Sequence, residues 1–317
     1  MRKFHLFAAD SYKDVSPPAM PFRHRRAVLM MIAGAVCWST GGLLVRSLSI
    51  ADPWEIVFWR SLFMSVFVAL VLVAMHGRAM PRMVRAVGVP GLVAGALLAG
   101  TFFFFIGSLT RTTVANTFVL MSVSPFLAAI AARLFLDEPV PPRTWLAIAI
   151  ALAGIVVMFG GTADAGQLTG NLLALGVSIC FAAQLTVLRK FHATVDMLPM
   201  VMIAGLWSLV PAFAMMGHAT ASAQDLAILA VMGCIQLGAG CLLATAASRT
   251  LTATELGLLA LLEPILGPIW VWALLGEHPG TPALVGGALV LSAVIANQAL
   301  AARRGRGQDA PQPLPGP

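Results

Sequence analysis

The chain has 317 residues, of which 59% are apolar and only 10% charged, with 20 Lys and Arg against 13 Asp and Glu. Composition of this kind excludes an ordinary soluble domain pair and indicates one integral membrane body in contact with the lipid bilayer. The basic residues lie between apolar runs and in the tails, a pattern that marks membrane orientation and not nucleic-acid binding.

Residues 1–26 are polar and end in Arg23-His24-Arg25-Arg26, a poor signal peptide that reads as a cytoplasmic tail. Ten apolar segments follow, at 27–47, 54–76, 84–108, 113–136, 143–161, 168–189, 197–216, 225–248, 254–275 and 280–301. Each is long enough to cross a hydrocarbon core as a helix, and the short connections make neighbours antiparallel. Residues 302–317, rich in Gly, Gln and Pro, read as a second, disordered cytoplasmic tail. Of the 20 Lys and Arg residues, all but Arg46, Arg60 and Arg111 fall in the tails or in the loops on one side, so the positive-inside rule puts both termini in the cytoplasm.

The chain repeats itself. Pro125 and Leu136-Asp137-Glu138 return as Pro264 and Leu275-Gly276-Glu277. Cys37-Trp38 aligns with Cys180-Phe181, Arg46 with Arg189, and Gly95, Gly100 and Arg111-Thr112 with Gly233, Gly238 and Arg249-Thr250. Spans 1–5 (27–161) thus correspond to spans 6–10 (168–301). An odd number of spans per copy inverts the second in the membrane, the arrangement of many secondary transporters.

Two five-helix units with a proline in the fourth span followed by Leu-x-Glu, carried here by SPFLAAIAARLFLDEPV and EPILGPIWVWALLGEHP, resemble the EamA repeats of the drug/metabolite transporter superfamily. His278-Pro279 stands where the family often has a basic-hydrophobic turn. The resemblance implies an all-α integral membrane fold of ten transmembrane helices and a carrier with a central cavity. It also implies a multi-pass protein of a bacterial-type inner membrane, commonly an exporter of amino acids or other small metabolites. No G-x-x-x-x-G-K-[ST] loop is present, so energy must come from a gradient or from the substrate itself. The four cysteines have no metal-ligand spacing, and no cofactor or metal is expected. An integral-membrane transferase would need paired acids or a His cluster that the chain lacks; a lipid-handling or regulatory protein on the same fold is the other alternative. The sequence leaves the oligomeric state open.

An ionisable group near the bilayer midplane costs about 2.5–3.5 kcal/mol on insertion scales and therefore asks for a reason. Glu263 is the only acid deep in a span, roughly 15 Å in at 1.5 Å per residue. Its functional reading is a proton carrier or a partner for a cationic substrate group. Its structural reading is a cap for a half-helix restarted at Pro264, with Pro125 the matching break in span 4. Arg60 is the only basic residue within a span. It snorkels outward, neutralises Glu263, or holds a substrate carboxylate bidentately. In the aligned repeats Asn116 matches Glu255 and Ser124 matches Glu263, which draws a polar line down each fourth span. Gln184, Gln236 and Trp38 complete the candidates; a Gln at such a position is more often an interhelical hydrogen bond than a ligand contact. The cavity is expected between spans 1–4 and 6–9, with spans 5 and 10 peripheral.

Overall fold

The computed structural model describes residues 21–160, 165–190, 197–251 and 253–308, and the described residues are helical without strands. Among the described residues nine helices are long and apolar enough to span a membrane; the helical stretch Pro199–Met215 is a shorter tenth. Span 1 comprises Pro21–Ser39 and Gly41–Arg46, span 2 is Pro53–His76, span 3 Gly88–Leu109 and span 5 Pro142–Gly160. Span 4 is split into Val114–Met121 and Ser124–Phe135. Span 6 is Ala165–Lys190, span 7 Met197–Met215 and span 10 Thr281–Gln308. Span 8 runs from Ala223 to Ser248 through a π-helical stretch, Met232–Ala239. Span 9 is split into Ala253–Ala260 and Leu262–Leu275. Two ends depart from the sequence reading. The first helix begins at Pro21, inside the stretch read as tail, and the last continues to Gln308.

Local chemistry sets the boundaries. Asp52 caps span 2 by accepting from the Trp54 amide, with Pro53 at the first helical position where no amide partner is needed. Ser222 and Asp225 form a reciprocal capping box at the start of span 8. The repeated Leu-x-Glu motif also acquires a physical meaning. Its middle residue is left-handed in both copies, Asp137 at φ 55° and Gly276 at φ 68°, so the motif is a helix stop that only Gly, Asp or Asn fills readily.

Packing respects the repeat. Span 1 packs on spans 8 and 9, and span 6 packs on spans 3 and 4. Spans 2 and 7, 4 and 9, and 5 and 10 pair across the pseudo-twofold axis. In the last pair a Cβ at Gly154 would stand 2.6 Å from the Gly286 carbonyl oxygen, so these helices meet backbone to backbone. Leu70, Val156, Val210 and Phe213 are among the large apolar side chains left exposed, as a lipid-facing surface requires. The face bearing Arg78, Arg82, Arg85, Arg133, Arg143 and Arg249 is called the basic face below, and the other end the opposite face.

Candidate functional site

Span 9 is interrupted at Leu261, and Pro264 lies in the first turn of its second half. A proline has no amide hydrogen, so the Ala260 carbonyl four residues earlier loses its helical donor. Glu263 sits at this break, half-buried, while Leu261 at the N-cap position supplies no side-chain cap. The Cys241 thiol of span 8 lies within electrostatic range of the Glu263 carboxylate, on the half of span 8 that packs against span 1.

Above Glu263, toward the opposite face, spans 1, 8 and 9 bring further polar groups together. Trp270 donates to Ser39 Oγ at 2.9 Å. Gln236 donates from Nε2 to the Trp38 carbonyl at 3.3 Å, while its buried Oε1 has no partner among the described residues. Gln236 lies in the π-helical stretch, whose widened turns recur at functional positions in helices. Gly41 makes room for it: a Cβ there would lie 3.0 Å from Gln236 Nε2 and 3.3 Å from the Phe105 ring.

Arg60 does not snorkel. It is 1% exposed, and its Nε and Nη2 have no hydrogen-bond partner among the described residues. The guanidinium carbon lies 5.0 Å from the centroid of the Phe102 ring, a cation–π contact that offsets part of its desolvation. It does not neutralise Glu263: the ion-pair contacts among the described residues are Arg46–Glu277 at 2.9 Å and His24–Glu255 at 3.6 Å. The backbone of span 2 at Arg60 and Met64 presses on Gly233, one turn before Gln236. The run Phe102–Phe105, which must point several ways on a helix, is used throughout. Phe102 lies under Arg60, Phe103 tilts on Trp54, Phe104 meets Gly176 and Phe105 stands edge-on to Phe118.

The other candidates fall elsewhere. Asn116 is near the opposite face, bonded to Thr112 Oγ1 at 3.3 Å and to Asn171 Oδ1 at 3.1 Å beside a small cavity of about 40 Å³. Glu255 lies near the basic face against His24. The polar line drawn from the sequence is therefore three separate places, with only the Ser124 and Glu263 pair at depth. Gln184 donates weakly to Met200 Sδ at 3.6 Å between spans 6 and 7, and its Oε1 is unpartnered.

Sequence reasoning passed over several residues. Ser178 of span 6 donates to the Leu120 and Met121 carbonyls, each at 3.0 Å, and so satisfies the acceptors that the break before Pro125 sets free. The alignment of Cys37 with Cys180 already places Ala35 opposite Ser178, and that difference was available in the sequence. Glu55 and Asp225 lie near span ends, where hydropathy gives an acid no prominence. Both are buried: Glu55 accepts from the Thr220 and Ala221 amides and the Thr220 hydroxyl, and Asp225 from the Ser49 amide and hydroxyl. They tie the loops of the opposite face together.

This arrangement, two inverted five-helix units meeting at two proline breaks, matches the family model described as the EamA-like transporter family over residues 25–160 and again over 168–297. The chain belongs to that family. Among curated proteins, this EamA-like transporter is 25% identical over 289 residues to the pseudopaline exporter CntI of one Pseudomonas aeruginosa strain, an alignment covering 86% of the chain and 95% of that protein. It is 24% identical over 280 residues to the CntI of a second strain, with the same coverage. A solved crystal structure superposes with a TM-score of 0.63 at 18% identity, covering 88% of this chain and 98% of the other, and at that identity it speaks for the fold alone. The protein is thus a multi-pass membrane transporter of the metabolite-exporting kind, and an integral-membrane transferase is not favoured.

Proposed function

We propose that this transporter exports a small zwitterionic metabolite of the amino-acid type across a bacterial inner membrane by alternating access, and is not an enzyme. The basic face is cytoplasmic, together with both termini. The halves rock about a midplane site between spans 1–4 and 6–9. Arg60 holds the substrate carboxylate, Gln236 and Trp38 line the path, and Glu263 carries the proton that couples export to the gradient. Ser124 holds the equivalent position in the other repeat. Gln184 lies beside the path between spans 6 and 7, and Asn116 and Glu255 stand at its two mouths.

The observation that carries this reading is Arg60. A guanidinium buried in a membrane span without a carboxylate is costly, and a buried cation is retained where a counter-charge arrives during function. The exporter names of the CntI relatives support the direction of transport.

The test is transport by purified protein in lipid vesicles, with a panel of amino acids and cationic compounds, with and without an imposed pH gradient. A zwitterionic substrate is expected to move, and Arg60→Ala to lower its transport at least tenfold while leaving amines that lack a carboxylate unaffected. Arg60→Lys should rescue little, because an ammonium cannot reproduce the planar fork. Equal loss for substrates with and without a carboxylate would assign Arg60 to folding.

A further inference from the structure

The two helix breaks invite comparison atom by atom. In span 4, Pro125 leaves the Met121 carbonyl without a helical donor, and Ser178 Oγ supplies one to it and to Leu120. In span 9, Pro264 leaves the Ala260 carbonyl in the same position, but the residue aligned with Ser178 is Ala35, which has no hydroxyl. Span 1, which carries Ala35, packs on both halves of span 9 as span 6 packs on both halves of span 4. At the position before the proline, the donor-capable Ser124 is replaced by Glu263, whose carboxylate only accepts. The first break is therefore capped within the fold, and the second joins a carbonyl and a carboxylate. Neither internal cation neutralises it, since Arg60 lies between spans 2, 3 and 8 and Arg46 is engaged by Glu277.

From this asymmetry we infer that the break in span 9 is a binding site for a monovalent cationic group, held between the Glu263 carboxylate and the Ala260 carbonyl. An ammonium group suits it best, because its three donors can serve a carboxylate and a carbonyl, both of which only accept. Sodium presents the same charge to the same oxygens, as half-helix carbonyls do in other carriers. The inference deepens the proposed function. If the ammonium belongs to the exported zwitterion, Arg60 and the span 9 break hold its two ends.

Cys241 reports on the site, because its thiol lies within electrostatic range of Glu263. The experiment uses the full chain in lipid nanodiscs, with Cys37→Ala, Cys180→Ala and Cys234→Ala leaving this one thiol. Labelling is followed with a cationic and an anionic methanethiosulfonate, in the presence of butylammonium or of Na⁺. The cationic reagent is expected to react about tenfold faster than the anionic one, and butylammonium to slow labelling. Glu263→Gln should remove both effects. Ala35→Ser, which installs the hydroxyl that Ser178 provides in the other repeat, should raise the butylammonium needed for protection about tenfold, roughly one hydrogen bond to a charged group. It should leave the reagent preference in place, and it keeps the test valid where Glu263→Gln fails to fold.

Protection by butylammonium and not by Na⁺ identifies the ligand as an amine; protection by Na⁺ alone identifies a coupling ion. Protection by neither overturns the site, and protection unchanged in Ala35→Ser overturns the role of the carbonyl. Because the readout is a thiol and not transport, it fails independently of the export reading. Loss of export with protection intact would break the latter alone.

Discussion

At the break in span 4 the freed carbonyls are bonded to Ser178, whereas at the break in span 9 the residue aligned with that serine is Ala35, which carries no donor, and the residue before the proline is Glu263. The backbone solution is the same: a helix stops, a proline sits in the first turn of the next, and the second half ends in a left-handed residue before a glutamate. The repeat supplies the geometry twice and the chemistry once. An inverted pair needs matching flexible joints to exchange its two open states, but it needs only one charged site, and a second buried acid would add another desolvation cost.

The comparison is broken most directly at the two aligned side chains. Glu263→Gln is expected to abolish gradient-driven transport in vesicles, a loss of about a hundredfold or more, as removal of a proton-carrying group does. Ser124→Ala should change the rate by less than about twofold, since its hydroxyl makes none of the bonds that hold the span 4 break. If Glu263→Gln still concentrates substrate against the gradient, the acid is structural and the two breaks are equivalent after all.

A smaller difference is expected at the prolines. Pro264→Ala returns an amide to the Ala260 carbonyl, removes that oxygen from the site and straightens span 9, so transport should fall about tenfold. At Pro125→Ala the new amide competes for a carbonyl that already has Ser178, and a change within about threefold is expected. Parallel uptake curves for the two variants decide the point; equal losses would mean that both joints serve only motion.

The fold was legible because its signals are redundant: hydropathy gives the spans, the internal repeat gives the two five-helix units, and the Leu-x-Glu motif marks where two helices stop. The site was legible only in part, and the reason is geometric. Glu263 and Arg60 stand out in a hydropathy plot by themselves, but the pairing proposed between them depends on which helices are neighbours, and the structure places Arg60 against Phe102 and span 8. Asn116 and Glu255 share a helical face with the deep positions, yet helix length carries them to opposite ends, where Asn171 and His24 occupy them. Ser178 was missed because a serine in an apolar helix usually bonds to its own backbone. Its function emerges only when span 6 is set against the break in span 4.

That serine carries the smallest effect and the cleanest contrast. Ser178→Ala takes the donor from a buried carbonyl, Leu120, and a partly buried one, Met121, while removing a single oxygen, so the change should appear in stability and hardly in transport. Loss of a hydrogen bond between membrane helices costs about 0.6 kcal/mol on average and up to about 1.7 kcal/mol. The variant should therefore unfold a few degrees below the parent in a detergent melting assay, while keeping its transport rate within about twofold. Ala35→Ser is the mirror experiment, with the opposite pattern: the added hydroxyl finds the Ala260 carbonyl, stability holds or rises slightly, and transport falls. Were both substitutions to act on stability alone, the second break would be a cap awaiting its donor and not a site. Were both to act on transport, the carbonyls of the two repeats would take part alike, and the asymmetry would rest on Glu263 by itself.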